Sequence, residues 1–133
     1  MYLVDTNVLS AARRGEPAPA GWLRGADPAL IFLSVVTIGA LAKGIALKRQ
    51  TDPKTAETLQ RWLEAISERF AARILPLDAA ALTIWGELQA VRPRPVMDCL
   101  IAATARSRRL AIVTRNVADF AECGVAVINP WTS

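Results

Sequence analysis

The sequence predicts an α/β domain in which a mostly parallel five-stranded sheet is flanked by helices on both faces. Five short β-rich runs, Tyr2 to Val4, Ile31 to Leu33, Arg73 to Leu75, Ala111 to Val113 and Ala126 to Ile128, are separated by helix-length segments. Such alternation builds a parallel sheet covered on both sides, and no hairpin signal interrupts it. At 133 residues the chain has room for a single well-buried core, so one domain spanning 1–133 and one site are expected.

After the first strand, Thr6 to Arg13 reads as a helix opened by Asp5, and Pro17 to Arg24 as a second, short helix entered through Gly15 and Pro17. Ser34, following the second strand, can cap a helix from Val35 to about Lys48. Asp52 is a good N-cap with Pro53 at the first helical position, and Ala56, Leu59, Leu63, Ile66 and Phe70 recur at three and four to give one buried stripe. Asp78 can cap Ala79 to Val91. The Arg92-Pro93-Arg94-Pro95 stretch then breaks the chain before a helix from Val96 to Ser107. A short turn from Asn116 to Phe120 leads to the last strand. There is no internal repeat, low-complexity segment or linker.

Composition removes several chemistries. Hydrophobic residues make up 53% and charged residues 21%, without an apolar run long enough to span a bilayer. Met1 to Ser10 carries no basic leader or small-residue cleavage site, so a soluble, cytoplasmic protein is expected. Cys99 and Cys123 are too few for a disulfide framework and, with no histidine anywhere, cannot form a usual zinc site. The missing histidine also excludes Ser-His-Asp and Cys-His mechanisms. Any chemistry must run on carboxylates, hydroxyls or a hard metal. The net charge of +4 favours a polyanionic partner, although a basic surface that merely keeps the chain soluble explains it equally well. Arg13, Arg14, Arg24, Arg92, Arg94, Arg106, Arg108, Arg109 and Arg115 fall near element ends, where phosphate contacts are readily made.

In open α/β sheets ligands bind at the carboxyl ends of the strands, where connections diverge. Asp5 follows strand one, Asp98 sits in the first turn of the helix feeding strand four, and Thr114, Arg115, Asn116 and Asp119 follow that strand. An aspartate cluster suits Mg²⁺ or Mn²⁺, which prefer oxygen ligands and retain waters, and phosphodiester hydrolysis is its natural use. Each residue also has a bland explanation. Asp5 can be only an N-cap, Asp98 only a first-turn acid favoured by the helix dipole, and Asn116 with Asp119 only a local capping pair.

The segments around these acids carry a resemblance. Leu3-Val4-Asp5-Thr6-Asn7-Val8-Leu9-Ser10 resembles the opening motif of PIN domains, especially VapC-like toxins of type II toxin-antitoxin systems. Pro95-Val96-Met97-Asp98-Cys99-Leu100-Ile101-Ala102-Ala103-Thr104-Ala105 resembles their central acidic helix, and Val113-Thr114-Arg115-Asn116-Val117-Ala118-Asp119-Phe120 their late motif. Val127-Ile128-Asn129-Pro130-Trp131 also fits. The matches run in the family's order over nearly the whole chain. The resemblance implies a metal-dependent endoribonuclease with Asp5, Asp98 and Asp119 as metal ligands for Mg²⁺ or Mn²⁺. Asn116 becomes a neutral contact to substrate or ligand, Thr114 a hydroxyl near the metal, and Asn7 the residue that orients the Asp5 loop. It further implies an RNA substrate, a homodimer and a VapB-like antitoxin lying in a groove between the helices from Val35 and from Pro53, with Ile45, Leu47 and Trp62 as candidate contacts.

One position departs from the pattern. In Ser34-Val35-Val36-Thr37-Ile38-Gly39-Ala40-Leu41-Ala42-Lys43-Gly44-Ile45 the family's usual glutamate falls at Ala40, and only the Thr37 hydroxyl, one turn earlier, offers a nearby oxygen. A methyl group cannot ligate metal, so nuclease activity is predicted to be strongly reduced or absent. Helix propensity at this position is undiminished. An inactivating exchange that lets a toxic enzyme be produced would leave this pattern, and so would a natural change.

Three other readings compete. One is an RNA-processing PIN nuclease outside toxin-antitoxin systems. Another is a catalytically silent PIN-like module that binds antitoxin or RNA. The third, a phosphoacceptor receiver domain, fits badly because no lysine follows strand five, and a dinucleotide fold lacks its Gly-rich turn after strand one.

Overall fold

Each strand carries side chains that alternate between two covered faces, and this builds a three-layer molecule. In the computed structural model, which describes residues 1–132, the strands are β1 (Tyr2–Val4), β2 (Ile31–Ser34), β3 (Ile74–Leu75), β4 (Ala111–Val113) and β5 (Val127–Ile128). The helices are α1 (Thr6–Arg13), α2 (Pro17–Gly25), α3 (Val35–Arg49), α4 (Pro53–Arg69), α5 (Ala79–Val91) and α6 (Val96–Arg108). Leu3 and Ile112 pack into one core with α5 and α6, whereas Val4 and Val113, the next residue in each strand, pack into the other with α1, α3 and α4. The period of two along a strand therefore assigns successive residues to opposite layers.

All four strand pairings are parallel, in the order β3-β2-β1-β4-β5. From β1 the chain runs outward through β2 and β3, then returns to the other flank of β1 as β4. Connections from β1 and β4 thus leave in opposite directions, and the switch point lies between them.

The helices begin where their caps predict. Side chains of Asp5, Ser34, Asp52 and Asp78 each accept a backbone N–H in the first turn of α1, α3, α4 and α5 respectively. On α4, Ala56 and Leu63 are buried while Leu59 and Ile66 pack half-buried beside them, which is the expected stripe.

Some expectations are corrected. Arg73 is not in a strand: it ends a 3₁₀ turn, Ala71–Arg73, where its Nε donates to the Ile31 carbonyl at 3.0 Å and its guanidinium lies 5.3 Å from the Phe70 ring centre. Ala126 lies just outside β5, although its carbonyl accepts from Ile112 N–H at 2.9 Å. A 3₁₀ turn at Pro28–Leu30, capped by Asp27, was not expected. Arg94 is not a surface phosphate contact. It is buried, and its Nη1 donates to the Ala121 carbonyl at 3.1 Å and to Cys123 Sγ at 3.3 Å, pinning the loop before α6 to the segment before β5.

Candidate active site

Asp5 stands at the first position beyond β1, and its backbone N–H continues the ladder by donating to the Val113 carbonyl at 2.9 Å. The carboxylate is 3% exposed. Its Oδ1 accepts from Thr6 N–H at 2.8 Å, which is the N-cap role, but Oδ2 accepts from Thr114 Oγ1 at 2.8 Å and from Asn7 Nδ2 at 3.2 Å. A cap alone does not explain a hydrogen bond to a residue 109 positions away. Burial raises the proton affinity of Asp5, opposed by the Thr114, Thr6 and Asn7 hydrogen bonds, and Asp119 raises it further.

Thr114 and Asn7 tie the two loops of the switch point together. The Thr114 hydroxyl also accepts from Asn116 N–H at 3.1 Å, and Asn7 Oδ1 accepts from Arg115 N–H at 3.2 Å. Replacing Thr114 by Val removes a donor from Asp5 and an acceptor from Asn116 in a buried place. A stability loss of about 1–3 kcal/mol in denaturant titration is expected. Since the lost hydrogen bond was lowering the Asp5 pKa, the midpoint for ionising Asp5 moves upward, which NMR titration would read.

Asp98 occupies the first turn of α6 and is half-buried. Burial, then the negative charges of Asp5 and Asp119, push its carboxyl up to about 6. A first-turn acid serving only the helix dipole would be held ionised; here burial first, and then the neighbouring acids, oppose that. Asp119 lies exposed in the 3₁₀ turn Val117–Phe120, and Asn116, just before that turn, makes no side-chain cap bond to it. The capping-pair explanation of Asn116 and Asp119 therefore lacks its hydrogen bond.

The negative charge of Asp119 thus reaches both Asp5 and Asp98, and that of Asp5 reaches Asp98. Among the described residues none of the three forms an ion pair with Lys or Arg. An uncompensated, all-oxygen acidic group suits a hard divalent cation in its donor chemistry. It is an open arrangement: among the described residues, no three acidic or sulfur side chains are gathered into a ready-made metal cage.

Ala40 is exposed on α3, where two cavities meet. One, of about 240 Å³, is lined by Thr6, Ser10, Arg13 and Trp62. The other, of about 470 Å³, is apolar and lined by Val35, Leu77, Met97 and Leu100, the last two from the start of α6. Thr37 offers no stand-in oxygen, because it is fully buried and its hydroxyl is bonded to Thr6 Oγ1 at 3.2 Å. Of the expected groove contacts, Trp62 lines the smaller cavity, Ile45 forms its floor from the core, and Leu47, 55% exposed, lies outside it.

Sequence reasoning singled out Arg115 but missed the contacts that join it to Trp131 and Trp131 to Glu16. Trp131 donates its indole N–H to Glu16 Oε1 at 3.3 Å and stacks under the Arg115 guanidinium at 4.9 Å. Their spacing, 16, 115 and 131, gave no local signal.

Comparisons with known proteins identify relatives along nearly the whole chain. Toxin FitB of Neisseria gonorrhoeae is 33% identical over 138 residues, covering 98% of this chain and 99% of that protein. VapC ribonuclease Y4jK of Sinorhizobium fredii is 32% identical over 139 residues, covering 98% of each. The crystal structure of FitAcB from Neisseria gonorrhoeae matches with a TM-score of 0.92 at 33% identity over the whole of both chains. The PIN domain profile matches residues 2–124, and the chain belongs to the PIN domain family.

Proposed function

We propose that this chain is the toxin ribonuclease of a type II toxin-antitoxin pair, and that Ala40 leaves its hydrolytic centre strongly impaired. The observation that carries this reading is the acid group Asp5, Asp98 and Asp119, unpaired with any cation among the described residues and with Asp98 raised to about 6. Similarity to a named toxin and a named ribonuclease over nearly the full chain supports the choice of RNA phosphodiester.

On this reading the three aspartates hold Mg²⁺ or Mn²⁺, which when bound polarises the phosphate, activates water and neutralises charge on the departing oxygen. The chain's own residues fix the geometry. Thr114 and Asn7 hold Asp5 in one rotamer, so its remaining lone pair keeps a constant direction. Asp98 must lose its proton to serve as a ligand, and Asn116 stands as a neutral contact beside Thr114. The partner is a VapB-like antitoxin, and the chain pairs as a homodimer. Met97, 61% exposed, and Val35, 38% exposed, form an apolar rim next to the acids that a protein partner would cover.

A second reading, a silent module that binds antitoxin or RNA without cutting it, is favoured by the Ala40 methyl where a ligand is expected. The assay that separates the two measures cleavage of labelled RNA by this chain and by Ala40→Glu in Mn²⁺, with chelator as control. Chelator-sensitive cutting by the glutamate variant supports the nuclease; no cutting by either chain, while the fold remains intact, overturns it.

A further inference from the structure

Arg115 follows Thr114 on the turn leaving β4 and is one side chain removed from the acids. Its backbone N–H donates to Asn7 Oδ1 at 3.2 Å, and Asn7 Nδ2 donates to Asp5 Oδ2 at 3.2 Å. Its side chain is held as well, with the guanidinium carbon 4.9 Å from the centre of the Trp131 ring.

Trp131 is itself fixed. Its indole N–H donates to Glu16 Oε1 at 3.3 Å, and its backbone N–H to Asn129 Oδ1 at 2.9 Å. Glu16 is near enough for the Arg115 charge to stabilise its ionised form, yet its oxygens are taken by Trp131 and by Arg14, the latter at 3.1 Å. Among the described residues no carboxylate lies within ion-pair distance of Arg115, and no acceptor takes its guanidinium N–H groups.

A stack on tryptophan alone would explain an ordered arginine. It would not explain an arginine that is stacked, has no side-chain donor engaged among the described residues and shares a hydrogen-bonded link with Asp5. Arginine presents five donors in a planar fork that matches phosphate oxygens, and holding the fork flat beforehand reduces the ordering entropy lost on capture. The link through Asn7 fixes the fork's backbone relative to the Asp5 carboxylate.

We infer that Arg115, held flat by Trp131, binds an RNA backbone phosphate next to the one presented to Asp5, Asp98 and Asp119, with Trp131 and Glu16 as positioning residues. This rests on the RNA-cleavage reading. It places the bound strand over the turn that leaves β4, beside Asn7 and Asp5.

The test is fluorescence anisotropy of a labelled single-stranded RNA with the full chain, repeated over a range of salt concentrations. Arg115→Ala, at an exposed position, is expected to weaken binding about tenfold, the loss of one charge-assisted contact. The slope of log affinity against log salt should fall by about 0.7, one phosphate's share for a single strand. Trp131→Phe keeps a ring but loses the indole N–H, so it should weaken binding less. The double variant should be no weaker than Arg115→Ala alone, because Trp131 acts through Arg115. Thermal melting of each variant checks the fold. Unchanged affinity and slope in Arg115→Ala overturn the inference while leaving the ribonuclease reading standing, and a double variant that loses both effects in full overturns the role of Trp131. If neither the parent nor Ala40→Glu binds RNA at all, the ribonuclease reading fails and this inference fails with it.

Discussion

Ala40→Glu is expected to raise chelator-sensitive RNA cleavage by at least about 100-fold, the upper end of what even an outer partner of a metal site contributes. Position 40 is exposed where the cavity beside Thr6 and Ser10 meets the one beside Met97 and Leu100. A longer side chain therefore has space to extend into these cavities without displacing core. The helix tolerates the exchange, since Ala and Glu differ by only a few tenths of a kcal/mol in propensity. Ala40→Gln, similar in shape but uncharged, should restore far less, because the site needs a negative oxygen ligand. The added charge has a stability signature too. Without divalent ion the glutamate variant should melt lower than the parent, because it increases repulsion in an unpaired acid group, and with Mn²⁺ the order should reverse. Equal, robust cleavage by parent and variant would show that position 40 plays no part in hydrolysis.

Asp98→Asn should move stability in opposite directions with and without metal. The Asp98 pKa is raised to about 6 from an ordinary value of 3.8, so the folded state holds this proton more tightly than the unfolded chain does. Its ionisation therefore costs stability, a cost that builds as pH rises from about 4 to about 6 and is fully present above that. At neutral pH without divalent ion, Asp98→Asn is expected to gain on the order of 1 kcal/mol after allowing for solvent screening, or about 4 °C in Tm at this chain length. Near pH 4 the gain should vanish. Metal reverses the comparison: Mn²⁺ at roughly a hundredfold over Kd should stabilise the parent by about 2.7 kcal/mol, or about 10 °C, and the variant by far less. This stabilisation should grow as pH rises through 6, because the ion competes with the proton on Asp98. A variant that Mn²⁺ stabilises as strongly as the parent would remove Asp98 from the ligand set.

The order of strands and helices was legible because each depends on a local signal. Alternation of apolar runs gave the layers, and Asp5, Ser34, Asp52 and Asp78 marked helix starts that the structure keeps. Misreadings came where tertiary contacts override such signals. Arg73 leaves the strand to reach the Ile31 carbonyl and stack on Phe70, and Arg94 leaves the surface to bond the Ala121 carbonyl and Cys123. Ile31, Ala121 and Cys123 are all remote in sequence from the arginine they bond, so periodicity and charge could not foresee these contacts.

The sequence by itself narrowed which residues can do chemistry here: a chain without histidine, with aspartates at the ends of two strands and alanine at position 40, leaves carboxylates, hydroxyls or a hard metal to carry it. Only the tertiary structure decided that the charge of Asp119 reaches Asp5 and Asp98, since that requires β4 to return beside β1 and place two loops at one edge. It alone also set Arg115 on Trp131, a contact between side chains whose loops meet only after the sheet closes. Strand pairing is a long-range choice governed by burial on both faces, and no short window of sequence contains it.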